Sequence, residues 1–338
     1  MIVKLLRPAQ FGYPKNSNLL GIIHYDTQFQ PLKIISEVPE LSIHMAHEGG
    51  ETVSEVWHSL EPVKYGSSGL IHYSYNSEVM FGALSYPMDN GRLSAPTKEV
   101  YKEMLNFISE HGYPHLFRLW NFIPNINADN PDGLEVYRDF CWGRADAFYE
   151  FFHENLNSEH TMSEQAMPAA TGIGSLSGDI CVYFLASRSR CENHLENPRQ
   201  MPAYRYPRKY GPRSPSFARA THIEIKNLIE QLYVSGTASI IGHETVHIGD
   251  ITNQTATALE NISILIGTDN LAKYGISDEL SLRDLNLVKV YVRETSHLPI
   301  VKTYCEEFLC PEAMVAYFNV DICRSDLLVE IEGIINQI

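Results

Sequence analysis

Two stretches hold the residue types that could do chemistry. The first, Ser187 to Thr221, reads SRSRCENHLENPRQMPAYRYPRKYGPRSPSFARAT. It carries Arg188, Arg190, Arg199, Arg205, Arg208, Lys209, Arg213 and Arg219 against only Glu192 and Glu196. Tyr204, Tyr206, Tyr210 and five prolines are interleaved. A guanidinium fork grips a carboxylate with two bonds at once. Proline stiffens the segment that carries such forks. The whole chain has a net charge of -15, so most of its surface would repel nucleic-acid phosphates. One stiff basic stretch on an acidic protein suits a small anion better. The plain alternative is a solvated loop, or arginines paired with the protein's own carboxylates.

The second stretch is LLVEIEG near the C-terminus, where Glu330 and Glu332 alternate with Val329 and Ile331. As a strand it puts both carboxylates on one face. Burying them is costly unless each is paired or protonated. A buried carboxyl with a raised pKa is a general acid near neutral pH. On this feature alone, an edge strand with both glutamates in water is the simpler reading.

Other motifs are weaker. His243-Glu244-Thr245-Val246-His247 spells H-E-x-x-H, which on a helix places two zinc ligands on one face. Here Gly242 and Gly249 bracket it and a β-rich run precedes it. Glu260, a conceivable third ligand, falls within an amphipathic helix of its own. GIGSLSG (172–178) mimics a phosphate loop but precedes a strand instead of opening a helix. Cys323 reads as a buried structural thiol.

The elements that must position these residues follow from the apolar patterns. At 338 residues, 44% hydrophobic and 20% charged, the chain is an ordinary globular protein of about two domains. The six cysteines are scattered with no C-x-x-C pair, which fits reduced thiols in the cytoplasm. No signal peptide is expected at the start, and no apolar run approaches the roughly 20 residues that span a bilayer. Residues 1–76 read as short strands and loops. EVMFGALSYP (78–87) is a strand, 94–112 a helix, HLFRLWNFIPNI a strand, 133–156 a long helix and 178–188 a strand. On the long helix Tyr137 and Arg144 lie seven apart and share a face. The second half repeats the grammar: strand 232–242, helix 250–267, an alternating strand LVKVYVRE, helix 298–310, and two final strands, MVAYFNVDICR and DLLVEIEG. The expectation is an α+β fold of two related units, with mixed sheets packed by helices. The expected division is an N-terminal β-rich extension (1–76), a first unit (77–186) and a C-terminal unit (187–338) carrying the glutamates.

ENPRQMPAYRYPRKYGPRSPSFARAT, VSGTASIIGHETVHIGD, QTATALENI and CRSDLLVEIEG together resemble the bacterial chorismatases, over at least residues 130–338. QTATALENISIL and VEIEG also resemble the YjgF/RidA fold, which that family shares. The resemblance accounts for HETVH without zinc. It implies the substrate chorismate, a dianion with one carboxylate on the ring and one on the enolpyruvyl arm, and no metal or organic cofactor. Together with the spacing, it points to Tyr137 with Arg144, and Tyr206 with Arg219, as the carboxylate clamps. Arg205 and Arg213 are the alternatives. It makes Glu330, and not Glu332, the acid that protonates the enolpyruvyl methylene. Gly236 and Cys323 match the branch that forms 3-hydroxybenzoate, with 4-hydroxybenzoate as a possible companion, plus pyruvate. The other branch hydrolyses chorismate to a dihydroxycyclohexadiene carboxylate and pyruvate. A protein that binds a small anion without catalysis is the reading from another class.

Overall fold

The computed structural model describes residues 1–7, 18–28, 37–88, 92–155, 167–225 and 229–337. The opening segment forms β1 (Ile2–Leu6), β2 (Leu19–Asp26), β3 (Glu40–His44), β4 (Ala46–His47) and β5 (Val53–His58). Next come β6 (Lys64–Ser68), β7 (Ile71–Tyr75), β8 (Val79–Tyr86), α1 (Ser94–Glu110), β9 (His115–Pro124), α2 (Val136–Asn155), β10 (Ala169–Ser175) and β11 (Ile180–Ser187). The second half holds β12 (Glu192–Leu195), β13 (Ala220–Ile225), β14 (Ile229–Ala238), β15 (Ile240–Ile241) and β16 (Glu244–Thr245). It continues with α3 (Ile251–Ile266), α4 (Thr268–Leu271), β17 (Leu287–Val292), α5 (Leu298–Phe308), β18 (Met314–Asn319) and β19 (Val329–Gln337). Residue 156, the expected end of the long helix, lies outside the described residues.

The repeated grammar is a repeated topology. The six-stranded sheet runs β10-β9-β11-β8-β7-β6, and the seven-stranded sheet runs β18-β17-β19-β14-β13-β12 with β4 added beside β18. In each, one pair is parallel, β9 with β10 and β17 with β18. A parallel pair needs a crossover, which α2 supplies in the first unit and α5 in the second. The fold is α+β with mixed sheets, as the pattern predicts. Helix boundaries follow local chemistry. Asp250 caps α3 by accepting from Asn253 N at 3.0 Å, and Pro299 opens α5.

The segment 1–76 contributes more than a separate extension. β1, β5, β2 and β3 form a four-stranded sheet, but β6 and β7 complete the first unit's sheet and β4 joins the second's. Val3, Ile23, Trp57, Phe81, Trp120, Tyr183, Tyr233 and Tyr291 are all buried in one shared core. LVKVYVRE departs from its expected alternation, since all six residues of β17 are buried. The reason is position: β17 is an interior strand, with Tyr291 in that shared core and Val288, Val290 and Val292 in the core beside α3. Lys289 tolerates burial because Glu55 and Glu332 hold it at 2.8 and 2.7 Å. Among the described residues no helix is long and apolar enough to cross a membrane.

Candidate active site

The two units meet where the edge strand β10 lies against β14. Ala170 N donates to Ser235 Oγ at 3.0 Å, and Gly236 N to Thr171 Oγ1 at 3.2 Å. A cavity of about 150 Å³ opens at this seam. All seven residues expected at the site line it: Tyr137 and Arg144 on α2, Tyr206 and Arg219 on the stretch before β13, Gly236 on β14, Cys323 before β19, and Glu330 on β19.

The two guanidiniums are almost fully buried, Arg144 at 1% exposure and Arg219 at 3%. Among the described residues neither forms an ion pair, and the Nε of each lacks a hydrogen-bond partner. Glu196 acts on Arg219 through space. Arg219 donates to Tyr206 Oη and to the Met201 carbonyl, both at 2.8 Å. Arg144 lies 5.2 Å over the Phe140 ring. Tyr137 lines the same cavity wall as Arg144. A buried, unpaired guanidinium is costly. Two of them on one cavity wall make a site organised in advance for a dianion.

The glutamates of VEIEG divide the two solutions to burial between them. Glu332 is paired: it receives bonds from Tyr291 Oη at 2.8 Å and Trp120 Nε1 at 3.0 Å, and it ion-pairs with Lys289 and Arg118. Burial by itself would raise its carboxyl, but Lys289, Arg118 and the Thr171 hydroxyl hold it below the ordinary range. Glu330 is protonated: it is 3% exposed, and burial pushes its carboxyl up to about 8. The nearby Glu332 charge adds to that rise, against the Cys323 thiol, Arg219 and Arg118. At neutral pH Glu330 therefore carries a proton it can give away.

Gly236 and Cys323 both touch that acid. The chain bulges between Val234 and Thr237 where β14 pairs with β19, as strands do beside functional sites. A Cβ built on Gly236 would overlap the Glu330 carboxyl, so glycine is what lets the acid sit there. The Cys323 thiol points its proton at Glu330 Oε2, 3.6 Å away. Burial keeps it a thiol.

Three other readings are corrected or refined. Of the eight cations in Ser187–Thr221, only Arg219 lines the cavity. Arg205 is exposed and Arg213 pairs with Asp146 at 2.8 Å on the surface. HETVH is not helical: Glu244 and Thr245 form β16, His247 has φ 58, and Glu244 pairs with Lys209 at 3.0 Å. Glu260 is taken by Arg199. The first four residues of GIGSLSG close β10 and the rest turn toward β11, and its glycines permit close approach. Gly172 faces the Tyr137 ring, and Gly174 N bonds the Asp321 carbonyl at 2.9 Å, tethering the loop that bears Cys323. Arg324 also lines the cavity and lies 4.2 Å over the Tyr210 ring. Its sole sequence signal was adjacency to Cys323.

Residues 55–186 match the family model described as chorismatase FkbO/Hyg5-like, N-terminal. Over 325 residues, 95% of this chain and 93% of the relative, the sequence is 44% identical to a 3-hydroxybenzoate synthase of Streptomyces hygroscopicus. This chain belongs to the chorismatase family. A chorismatase of Streptomyces rapamycinicus is 40% identical over 321 residues, covering 95% of this chain and 93% of that one. A crystal structure of a chorismatase superposes with a TM-score of 0.91 at 37% identity, covering 99% of this chain and 98% of that chain. The chorismatase match thus extends through the N-terminal hundred residues, where no quotable motif stands.

Proposed function

We propose that this protein converts chorismate to 3-hydroxybenzoate and pyruvate. One observation carries the reading: a buried, protonated Glu330 shares a cavity with two buried guanidiniums that form no ion pair among the described residues. Chorismate brings two carboxylates and an enol ether. Arg144 and Arg219 receive the carboxylates, with Tyr137 and Tyr206 as hydroxyl donors. Glu330 gives its proton to the terminal methylene, which becomes a methyl group. The ether carbon becomes an oxocarbenium ion. The neighbouring ring hydroxyl then attacks the carbon that bears the arm, the C–O bond to the arm breaks to release pyruvate, and the resulting protonated arene oxide opens at the hydroxyl's original C–O bond. The ring aromatises by losing a proton, which returns to the Glu330 carboxylate. The two products together hold all the atoms of chorismate, so no water is consumed and the reaction is that of a lyase. Proximity and the charges waiting at the carboxylates lower the barrier.

A coupled lactate dehydrogenase assay detects the pyruvate, and the ultraviolet spectrum shows whether its partner product is aromatic. Gly236 and Cys323 favour the aromatic outcome. Gly236→Ala with Cys323→Val should move more than half of the product to the diene diol. The added methyl shifts the acid, and the thiol no longer holds its Oε2. An unchanged product ratio in the double variant would remove these two residues from the argument.

Two organisational points belong to the same proposal. The six free thiols suit a reducing cytoplasm. The chain divides at 186/187 into two units, the first reaching back to include β6 and β7. Native-state hydrogen exchange should then show β8 and β11 opening in a different step from β17 and β19. A single common opening would abolish the division.

A further inference from the structure

β10 is an edge strand. Its ladder partner is β9, and its other edge faces the second unit. Across that seam the described residues form no continuous ladder, only the bridge of Ala169 with Ala218. Buried backbone groups at such an edge need other partners, and side-chain hydroxyls supply them. Ala169 N donates to Thr221 Oγ1 at 2.9 Å, and Ala170 N to Ser235 Oγ at 3.0 Å. In the opposite direction Gly236 N donates to Thr171 Oγ1 at 3.2 Å.

Thr171 holds more than the other two hydroxyls do. It is 1% exposed and shares a strand face with Ala169 and Ile173, both in the shared core. A valine would fill the same space, so packing does not call for the hydroxyl. Yet the oxygen uses its full capacity of one donor and two acceptors. It donates to Glu332 Oε2, and it accepts from Arg118 Nη2 at 2.8 Å and from Gly236 N. The carboxylate that receives its proton is itself held fast. Arg118 and Lys289 pair with Glu332, and Tyr291 and Trp120 donate to it.

Gly236 is where this anchoring reaches the acid. It lies in the bulge of β14, outside the registered pairs with β19, so that ladder does not fix its amide. Its backbone lies so close to the Glu330 carboxyl that a Cβ would overlap it. Among the described residues Thr171 neither lines the cavity nor hydrogen-bonds Glu330. We propose that Thr171 is a positioning residue for the acid: its hydroxyl clamps the Gly236 amide to the paired Glu332 carboxylate, and so sets where the Glu330 carboxyl stands in the cavity. It acts through Gly236 and not on the substrate. The proposal rests on the reading of Glu330 as the acid that cleaves chorismate.

The test uses full-length protein and steady-state kinetics of pyruvate release. Thr171→Val and Thr171→Ser are each made alone, and Thr171→Val also in a Gly236→Ala background. Thr171→Val alone should lower kcat about tenfold to a hundredfold, because small misplacements of a reacting group cost that much. KM should stay within about threefold, since the carboxylate clamps are untouched. Thr171→Ser should keep kcat within about threefold of the wild type, because its hydroxyl can make the same three bonds. In Gly236→Ala the acid is already displaced, so adding Thr171→Val should cost no more than about threefold. A valine variant with kcat within about twofold of the wild type overturns the proposal. So does a loss confined to KM, a serine variant as slow as the valine one, or the same factor in both backgrounds. Should Thr171→Val not fold, Thr171→Cys takes its place with the same expected loss, because sulfur is a weak donor and a weak acceptor. If that variant also fails to fold, the hydroxyl serves the fold and the proposal falls. If Glu330→Gln releases pyruvate at the wild-type rate, the reading of the acid fails first, and the proposal with it.

Discussion

Replacing Glu330 by Gln is expected to cut pyruvate release at least a thousandfold while chorismate still binds. The amide keeps the shape and burial of the side chain but has no acidic proton, and general acid catalysis contributes about 10² to 10⁴ in rate. The wild-type pH profile tests the same group. With the carboxyl at about 8, the donor form is lost as pH rises through that value. kcat/KM should therefore be flat near neutrality and fall about tenfold per pH unit well above it. Stability follows with a defined sign. The folded protein holds the proton more tightly than the unfolded chain, whose carboxyl titrates near the ordinary 4.5. The stability contributed by the bound proton is complete below about 4.5, declines as pH rises, and is gone above about 8. At about 1.4 kcal/mol per pKa unit the full loss is on the order of 5 kcal/mol. Glu330→Gln lacks this dependence, so its melting temperature should gain on the wild type between pH 5 and 8 and then run parallel. Undiminished pyruvate release, or a constant difference in melting temperature, would sink the assignment of Glu330 as a buried acid.

Arg219→Lys should be nearly as damaging, with kcat/KM down about a hundredfold to a thousandfold and most of the loss in KM. Breaking one side of a desolvated charge pair costs roughly 2–5 kcal/mol. The planar fork spends one nitrogen on Met201 O and Tyr206 Oη and leaves the rest for the ligand. An ammonium cannot keep those contacts and also meet a carboxylate in two places. Arg213→Lys is the matched control. Its partner Asp146 is at the surface, where such pairs contribute little, and activity should stay within twofold. Equal effects at both positions would mean that the basic stretch acts through its overall charge, with no clamp at Arg219.

Much of the fold was legible. The helices at 94–110, 136–155, 251–266 and 298–308 follow apolar spacing that survives any tertiary context, because each buries one stripe against a sheet. The repeat was visible as an order of elements, and the strand orders now show it as shared topology. Strand pairing across long separations was not legible. Nothing in KYGSS or IHYSY tells that β6 and β7 join the first unit's sheet. Nor does LVKVYVRE tell that Lys289 is buried, because its partners are 234 residues away at Glu55 and 43 away at Glu332.

The sequence by itself determined the family, the pair of carboxylates on one strand face, and a set of arginines and tyrosines among which the clamps had to be found. Motif identity and spacing carry that much, since both are properties of the chain in order. Tertiary structure decided which carboxylate keeps its proton. Glu330 and Glu332 are two residues apart on one strand, yet among the described residues Lys289 and Arg118 form ion pairs with the second and not with the first. It also decided which one of eight basic-stretch cations enters the cavity. Protonation and pairing depend on the dielectric and the charges within a few ångströms, and folding brings most of those neighbours from distant parts of the chain.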